Sequence, residues 1–148
     1  MKKTIANPIF VLAVVLILLA CASEVDLSNP QALMDEASDN GAFSHALEPL
    51  DINIAYSFFG LERDDYDMSL FYMSTASSEE FVFMQAVSAS AYDAAVTAVE
   101  RRLENQIRLY ATYAPDEVTK LENARIHKNQ SRRIIVYSVA SDPDKLPF

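Results

Sequence analysis

SAYDAAVTAVERRLENQIRLYATY, residues 90–113, is the stretch on which the fold turns. Its apolar residues Tyr92, Val96, Val99, Leu103, Ile107 and Tyr110 recur at spacings of 4, 3, 4, 4 and 3. Those intervals place all six on one stripe of a helix, the stripe that a sheet would cover. Glu100, Arg101, Glu104, Asn105 and Arg108 fall mostly on the opposite side. Ser90 and Asp93 have the S-x-x-D form that satisfies free amides at a helix start. Pro115 interrupts the pattern. The spacing therefore predicts a helix over Ala91–Tyr113 with one face against a sheet.

Strands are predicted on both sides of that helix. Met68 to Thr75 and Glu79 to Val87 read as a hairpin across the turn Ala76-Ser77-Ser78, with Phe81-Val82-Phe83-Met84 strongly β-prone. Ala124 to Lys128, with Ala124 and Ile126 inward, and Arg132 to Ala140 read as a second hairpin across Asn129-Gln130-Ser131. Pro115-Asp116-Glu117 opens a short helix to about Glu122, with proline first and acids in its first turn. Nearer the amino end, Ser28 or Asn29 can cap a helix with Pro30 at its first position, stopped by Ser38-Asp39-Asn40-Gly41. Phe43 to Ala55 is ambiguous, and Pro49 breaks any long helix there. Tyr56 to Gly60 reads as a compact aromatic segment closed by a turn glycine, and Glu62 to Asp67 as an acidic loop or single helical turn. The expected fold is α+β and two-layered: an antiparallel sheet of about four strands, in two hairpins, packed against one long helix.

The 148 residues are 51% hydrophobic and 22% charged, a composition for one folded domain rather than a disordered chain. Charge is uneven: residues 21–100 hold fifteen acids and one base, Arg63, whereas residues 101–133 hold eight bases and four acids. An isoelectric point near 4.6 argues against nucleic acid as a partner. A basic patch of Arg125, His127, Lys128, Arg132 and Arg133 is weighed against the ordinary solvated face that such runs form.

The amino end reads as an address. Lys2 and Lys3 precede the apolar run Ile9 to Ala20, and twelve residues are too few for a membrane-spanning helix. The run ends Leu18-Leu19-Ala20-Cys21, which resembles the lipobox of bacterial lipoproteins. The resemblance implies cleavage after Ala20 and a diacylglyceryl thioether on Cys21, the only cysteine of the chain. An ordinary secretory signal or a short uncleaved anchor are the other readings. The expected organisation is a signal peptide over 1–20, a tether over 21–29 and one α+β domain over 30–148. Two acyl chains would make the anchoring stable.

Signatures of chemistry are sparse. His45 and His127 are the only histidines, and neither HExxH nor a paired-histidine spacing occurs. No G-x-S-x-G is present, and Gly41 and Gly60, the only glycines, cannot build a phosphate-cradling loop. The cluster Glu62, Asp64, Asp65 and Asp67 offers carboxylate oxygens of the kind calcium takes, without the glycine turn and distal glutamate of an EF-hand. Phe58, Phe59, Tyr66, Phe71, Tyr72, Phe81, Phe83, Tyr110, Tyr113 and Tyr137 could line a pocket, though such residues more often form core. No catalytic residue, metal site or cofactor is assigned.

The residues from about Leu50 to Ala140 resemble the domain-of-unknown-function family 4358, found on lipoproteins of Gram-positive bacteria. The resemblance is carried by Tyr56 to Leu61 before an acidic stretch, Glu79-Glu80-Phe81-Val82 opening a strand, and Arg102 and Gln106 in the long helix. Tyr113-Ala114-Pro115, Asn123-Ala124 and Ile134-Ile135-Val136 complete it. Family members often have glycine in the final hairpin, where this chain has Asn129-Gln130-Ser131. The resemblance implies a small α+β domain on a lipid tether and transfers no catalytic residue. The expectation is a non-enzymatic binding domain on the extracytoplasmic face of the cell membrane, recognising a protein, peptide or envelope component, with Asp64, Asp65 and Asp67 as binding candidates. A small envelope hydrolase using carboxylates such as Asp64 and Asp67, which would need one of them to have a raised pKa in a cleft, and an extracellular calcium-binding domain are the alternatives.

Overall fold

The computed structural model describes residues 25–148. In chain order these form α1 (Pro30–Asp39), β1 (Glu48–Pro49), α2 (Ile52–Phe59), β2 (Tyr66–Met73), β3 (Glu80–Ala86), α3 (Ala89–Tyr113), α4 (Val118–Glu122), β4 (Arg125–Asn129) and β5 (Ile134–Val139). Single 3-10 turns lie at Arg63–Asp65, Pro115–Glu117 and Pro143–Lys145. The expected signal segment, with Ala20, Cys21 and the first part of the expected tether, lies outside the described residues.

The sheet is antiparallel throughout, in the order β1-β2-β3-β5-β4. The two expected hairpins, β2–β3 and β4–β5, are joined by pairing of β3 with β5, from Glu80 opposite Val139 to Gln85 opposite Ile134. The fifth strand is β1, two residues long and paired with Met73 and Tyr72 of β2. Side chains alternate across a strand, so β3 and β5 feed two cores. Val82, Met84, Ala86, Ile135, Tyr137 and Val139 face α3, whereas Phe81, Phe83, Ile134 and Val136 face the other way, towards α1. The sheet is thus covered on both faces, α3 and α2 on one and α1 with Val25, Leu27 and Phe148 on the other. This is why Phe81–Met84 and Ile134–Tyr137 read as unbroken apolar runs.

α3 behaves as its stripe predicts. Tyr92 and Val99 are buried, and Val96, Leu103, Ile107 and Tyr110 pack half-buried against the same core. Ala91, Ala95 and Ala98 extend the buried face and let the helix lie close to the sheet. The helix starts one half-turn earlier than Ser90–Asp93 suggests: Ser88 is the extended capping residue, and its hydroxyl accepts from the amide of Ala91.

α2 resolves the ambiguous segment. Asp51 caps it by accepting from the amides of Asn53 and Ile54. Gly60, at φ 66, ends it in the left-handed conformation that glycine reaches without a Cβ clash, and returns the amide of Leu61 to the carbonyl of Tyr56. α1 starts at Asn29, whose side chain accepts from Ala32 with Pro30 first in the helix. Val25 and the buried Leu27 already pack against the α1-side core, so the folded body takes in the last residues of the expected tether. Among the described residues, no helix is long and apolar enough to cross a membrane.

Candidate functional site

Glu79 precedes β3 and Glu80 opens it, and the alternation of the extended chain sends them to opposite faces of the sheet. Each is about 1% exposed. A buried carboxylate must be paired or fully hydrogen-bonded, and the two solve this differently.

Glu79 sits in a cage of donors. It accepts from the amides of Ser44 (2.8 Å) and His45 (3.0 Å) and from the hydroxyls of Ser141 (2.6 Å) and Ser77 (3.0 Å). His45 Nδ1 lies 3.1 Å away. Burial alone pushes its pKa up, but the bonds from Ser141, the Ser44 amide, His45 and Ser77 outweigh burial and hold it at about 2. The grouping of serine, histidine and glutamate is not a nucleophilic relay. A relay needs hydroxyl and carboxylate on opposite imidazole nitrogens, whereas Ser44 and Glu79 both approach Nδ1. The cage joins three distant segments: the chain after α1, the head of β3 and the chain after β5.

Glu80 is paired with Arg102 of α3. The guanidinium Nε lies 3.1 and 3.0 Å from the two carboxylate oxygens and Nη2 lies 2.6 Å from Oε2. Phe59 covers the guanidinium carbon at 5.1 Å from its ring centroid. The Tyr137 hydroxyl is buried near Glu80 without reaching hydrogen-bond geometry, and burial first, then the Glu80 charge, raises its pKa.

Beyond this pair a cleft of about 430 Å³ opens between the β2–β3 turn and the end of α3. Ser74 to Ser77 form one wall, Tyr110 and Tyr113 another, and Asp116 and Glu117 complete the lining. Glu117 is fixed in position. One oxygen accepts from the amide (2.9 Å) and hydroxyl (2.8 Å) of Ser78, and the other from Lys120 at 3.0 Å. Burial opposes ionisation of Glu117, but the bonds from Ser78 and Lys120 prevail and lower its pKa. The Tyr110 and Tyr113 rings lie 4.9 Å apart, and Tyr113 is 59% exposed. A smaller depression of about 290 Å³ lies by Val25, Asn29 and Pro147, where the chain enters from the undescribed residues.

The residues picked from sequence are not brought together into a pocket. Asp64 and Asp65 lie on the exposed 3-10 turn and Asp67 at the irregular start of β2, all open to solvent. Among the described residues no group of three or more histidine, cysteine or carboxylate side chains could hold a metal ion. His127 is half-buried with its ring 6.4 Å from that of Phe148. The basic residues of the last hairpin are largely engaged: Arg125 with Asp144 (2.8 Å), Lys128 with Glu100 (2.6 Å), and Arg133 with the carbonyl of Ala86 (3.0 Å). The buried glutamates, the cage and the cleft escape sequence reasoning. The one signal for them is a pair of acids opening an otherwise apolar strand.

A family profile described as a domain of unknown function (DUF4358) matches residues 40–139. No curated protein matches the chain, and no solved structure does.

Proposed function

The chain belongs to the DUF4358 family, and from that premise we propose that it is a membrane-tethered, extracytoplasmic binding domain whose recognition surface is the cleft at the end of α3. The observation that carries the binding role is the cleft itself. Its lining residue Glu117 is fixed by Ser78 and Lys120, yet Asp116 and Tyr113, which packs on the Tyr110 ring at 4.9 Å, are left exposed. Large aromatic side chains held in the open at a concave site are the usual anchors of recognition.

The tether is supported by Lys2 and Lys3, the apolar run and Leu18-Leu19-Ala20-Cys21. Cys21 is the attachment residue and Ala20–Cys21 the cleaved bond. Val25 joins the body on the α1 side, whereas Tyr110 packs on the α3 side. The cleft is therefore on the other side of the sheet from Val25, and on this reading it meets a protein or peptide of the envelope. The hydrolase alternative requires a carboxylate of raised pKa in a cleft with a second beside it. Asp64 and Asp67 are both exposed, which favours binding over hydrolysis.

Two measurements test the reading. Radiolabelled palmitate is expected to enter the wild-type chain and not Cys21→Ser; equal incorporation overturns the tether. A photo-crosslinking side chain at position 113 is expected to give a discrete adduct in intact cells, and one at Lys128 none. Absence of an adduct at 113 overturns the binding role.

A further inference from the structure

We infer that the cleft receives an organic ammonium group, the side chain of a lysine of an extracytoplasmic peptide. This rests on the reading of the cleft as the recognition surface and names the chemistry that fills it.

Four independent features converge. Among the described residues Asp116 and Glu117 line the cleft and no basic side chain does; Glu117 is already held by Ser78 and Lys120, so Asp116 is the carboxylate left to a ligand. Lys120, the cation beside Glu117, is engaged from outside the lining and leaves Asp116 uncompensated. Tyr110 and Tyr113 present paired rings, and a ring face attracts a cation within about 6 Å. α3 ends at Tyr113, so the carbonyl end of a 25-residue helix abuts the same space with no basic residue in its last turn. That end carries partial negative charge and is ordinarily matched by a cation. The polar turn Ser74–Ser77 supplies oxygen acceptors on the facing wall. An ammonium has three donors and no acceptor, and this lining offers carboxylate, hydroxyl and ring acceptors. The volume of about 430 Å³ suits one side chain with part of its backbone.

The test uses the full chain in detergent with labelled tyrosines, titrated by NMR with Nα-acetyl-lysine amide and with Nα-acetyl-norleucine amide, its near-isostere without charge. Saturable shifts of Tyr110 and Tyr113 are expected with the first and not the second, and weaker binding at higher salt. Tyr113→Ala and Asp116→Asn, both at exposed positions, are each expected to weaken binding about fivefold. Equal binding of the norleucine compound overturns the ammonium assignment and leaves the recognition surface standing. No response to either compound, with the photo-adduct at position 113 intact, has the same meaning. No response together with no adduct overturns both.

Discussion

The guanidinium of Arg102 is clamped between the carboxylate of Glu80, 2.6 Å from its Nη2, and the ring of Phe59, 5.1 Å from its central carbon. One residue of α3 thereby ties the central strand to α2. The pair is almost dry, with side-chain exposures of 12% and 1%. Removing one partner strands the other's charge. Arg102→Met is expected to cost about 3–5 kcal/mol, whereas Glu80→Leu with Arg102→Met together should be near neutral or stabilising. Denaturant unfolding of the two variants beside wild type checks this; equal losses for the single and double replacements would contradict it.

Acid should loosen the cage around Glu79. Its pKa falls from 4.5 to about 2 on folding. A depressed carboxylate contributes stability above its unfolded value and loses it as pH drops through its folded value. Native stability is therefore expected to decline between pH 4.5 and 2, and Glu79→Gln to flatten that decline while lowering stability at neutral pH. Thermal melts across this range decide it: a slope in Glu79→Gln as steep as in wild type would rule it out.

Gly60 holds a left-handed residue at the end of α2, and a Cβ built there lies 3.2 Å from Arg101 Nη2. That nitrogen donates to the carbonyl of Phe59 at 2.7 Å. Gly60→Ala is expected to cost about 1–2 kcal/mol from the backbone conformation and to disturb this bond. Gly41→Ala meets only the far end of Lys145, at 3.8 Å, and should bear the backbone term alone. Comparing the two melting points separates the terms.

Calcium is expected to leave the melting temperature unchanged. Asp64, Asp65 and Asp67 are exposed and converge on no shared point among the described residues. A saturable thermal shift with calcium, lost in Asp64→Asn with Asp67→Asn, would restore the metal-binding reading.

Most of the fold was legible because its determinants are local. The stripe of α3, the apolar runs of β3 and β5, and the Asn29-Pro30 start of α1 all sit within a turn or two of the residues they organise. α2 was legible in principle. Ile52, Ala55, Tyr56 and Phe59 have helical spacing between a capping Asp51 and a terminal Gly60, but the aromatic run obscured the period. β1 left no pattern, since two residues cannot show one. The final hairpin places Arg133, not a glycine, at φ 54, and its guanidinium bond to Ala86 secures a conformation that sequence alone would give to glycine. The site was illegible for a different reason. Glu79 depends on Ser44, His45 and Ser141, and Glu80 on Arg102, partners 22 to 62 residues away along the chain. Nothing in an acidic pair announces which distant donors will meet it.

The neighbouring glutamates also key the threading of the central strand. A shift by one position moves every side chain to the other face. In one direction Glu80 would land where Phe81 now lies, inside an oily layer with no donor. In the other, Phe81 would displace Glu80 and leave Arg102 facing hydrocarbon. Either misthreading buries a lone charge, so the strand, like a notched key, enters its lock in one alignment only.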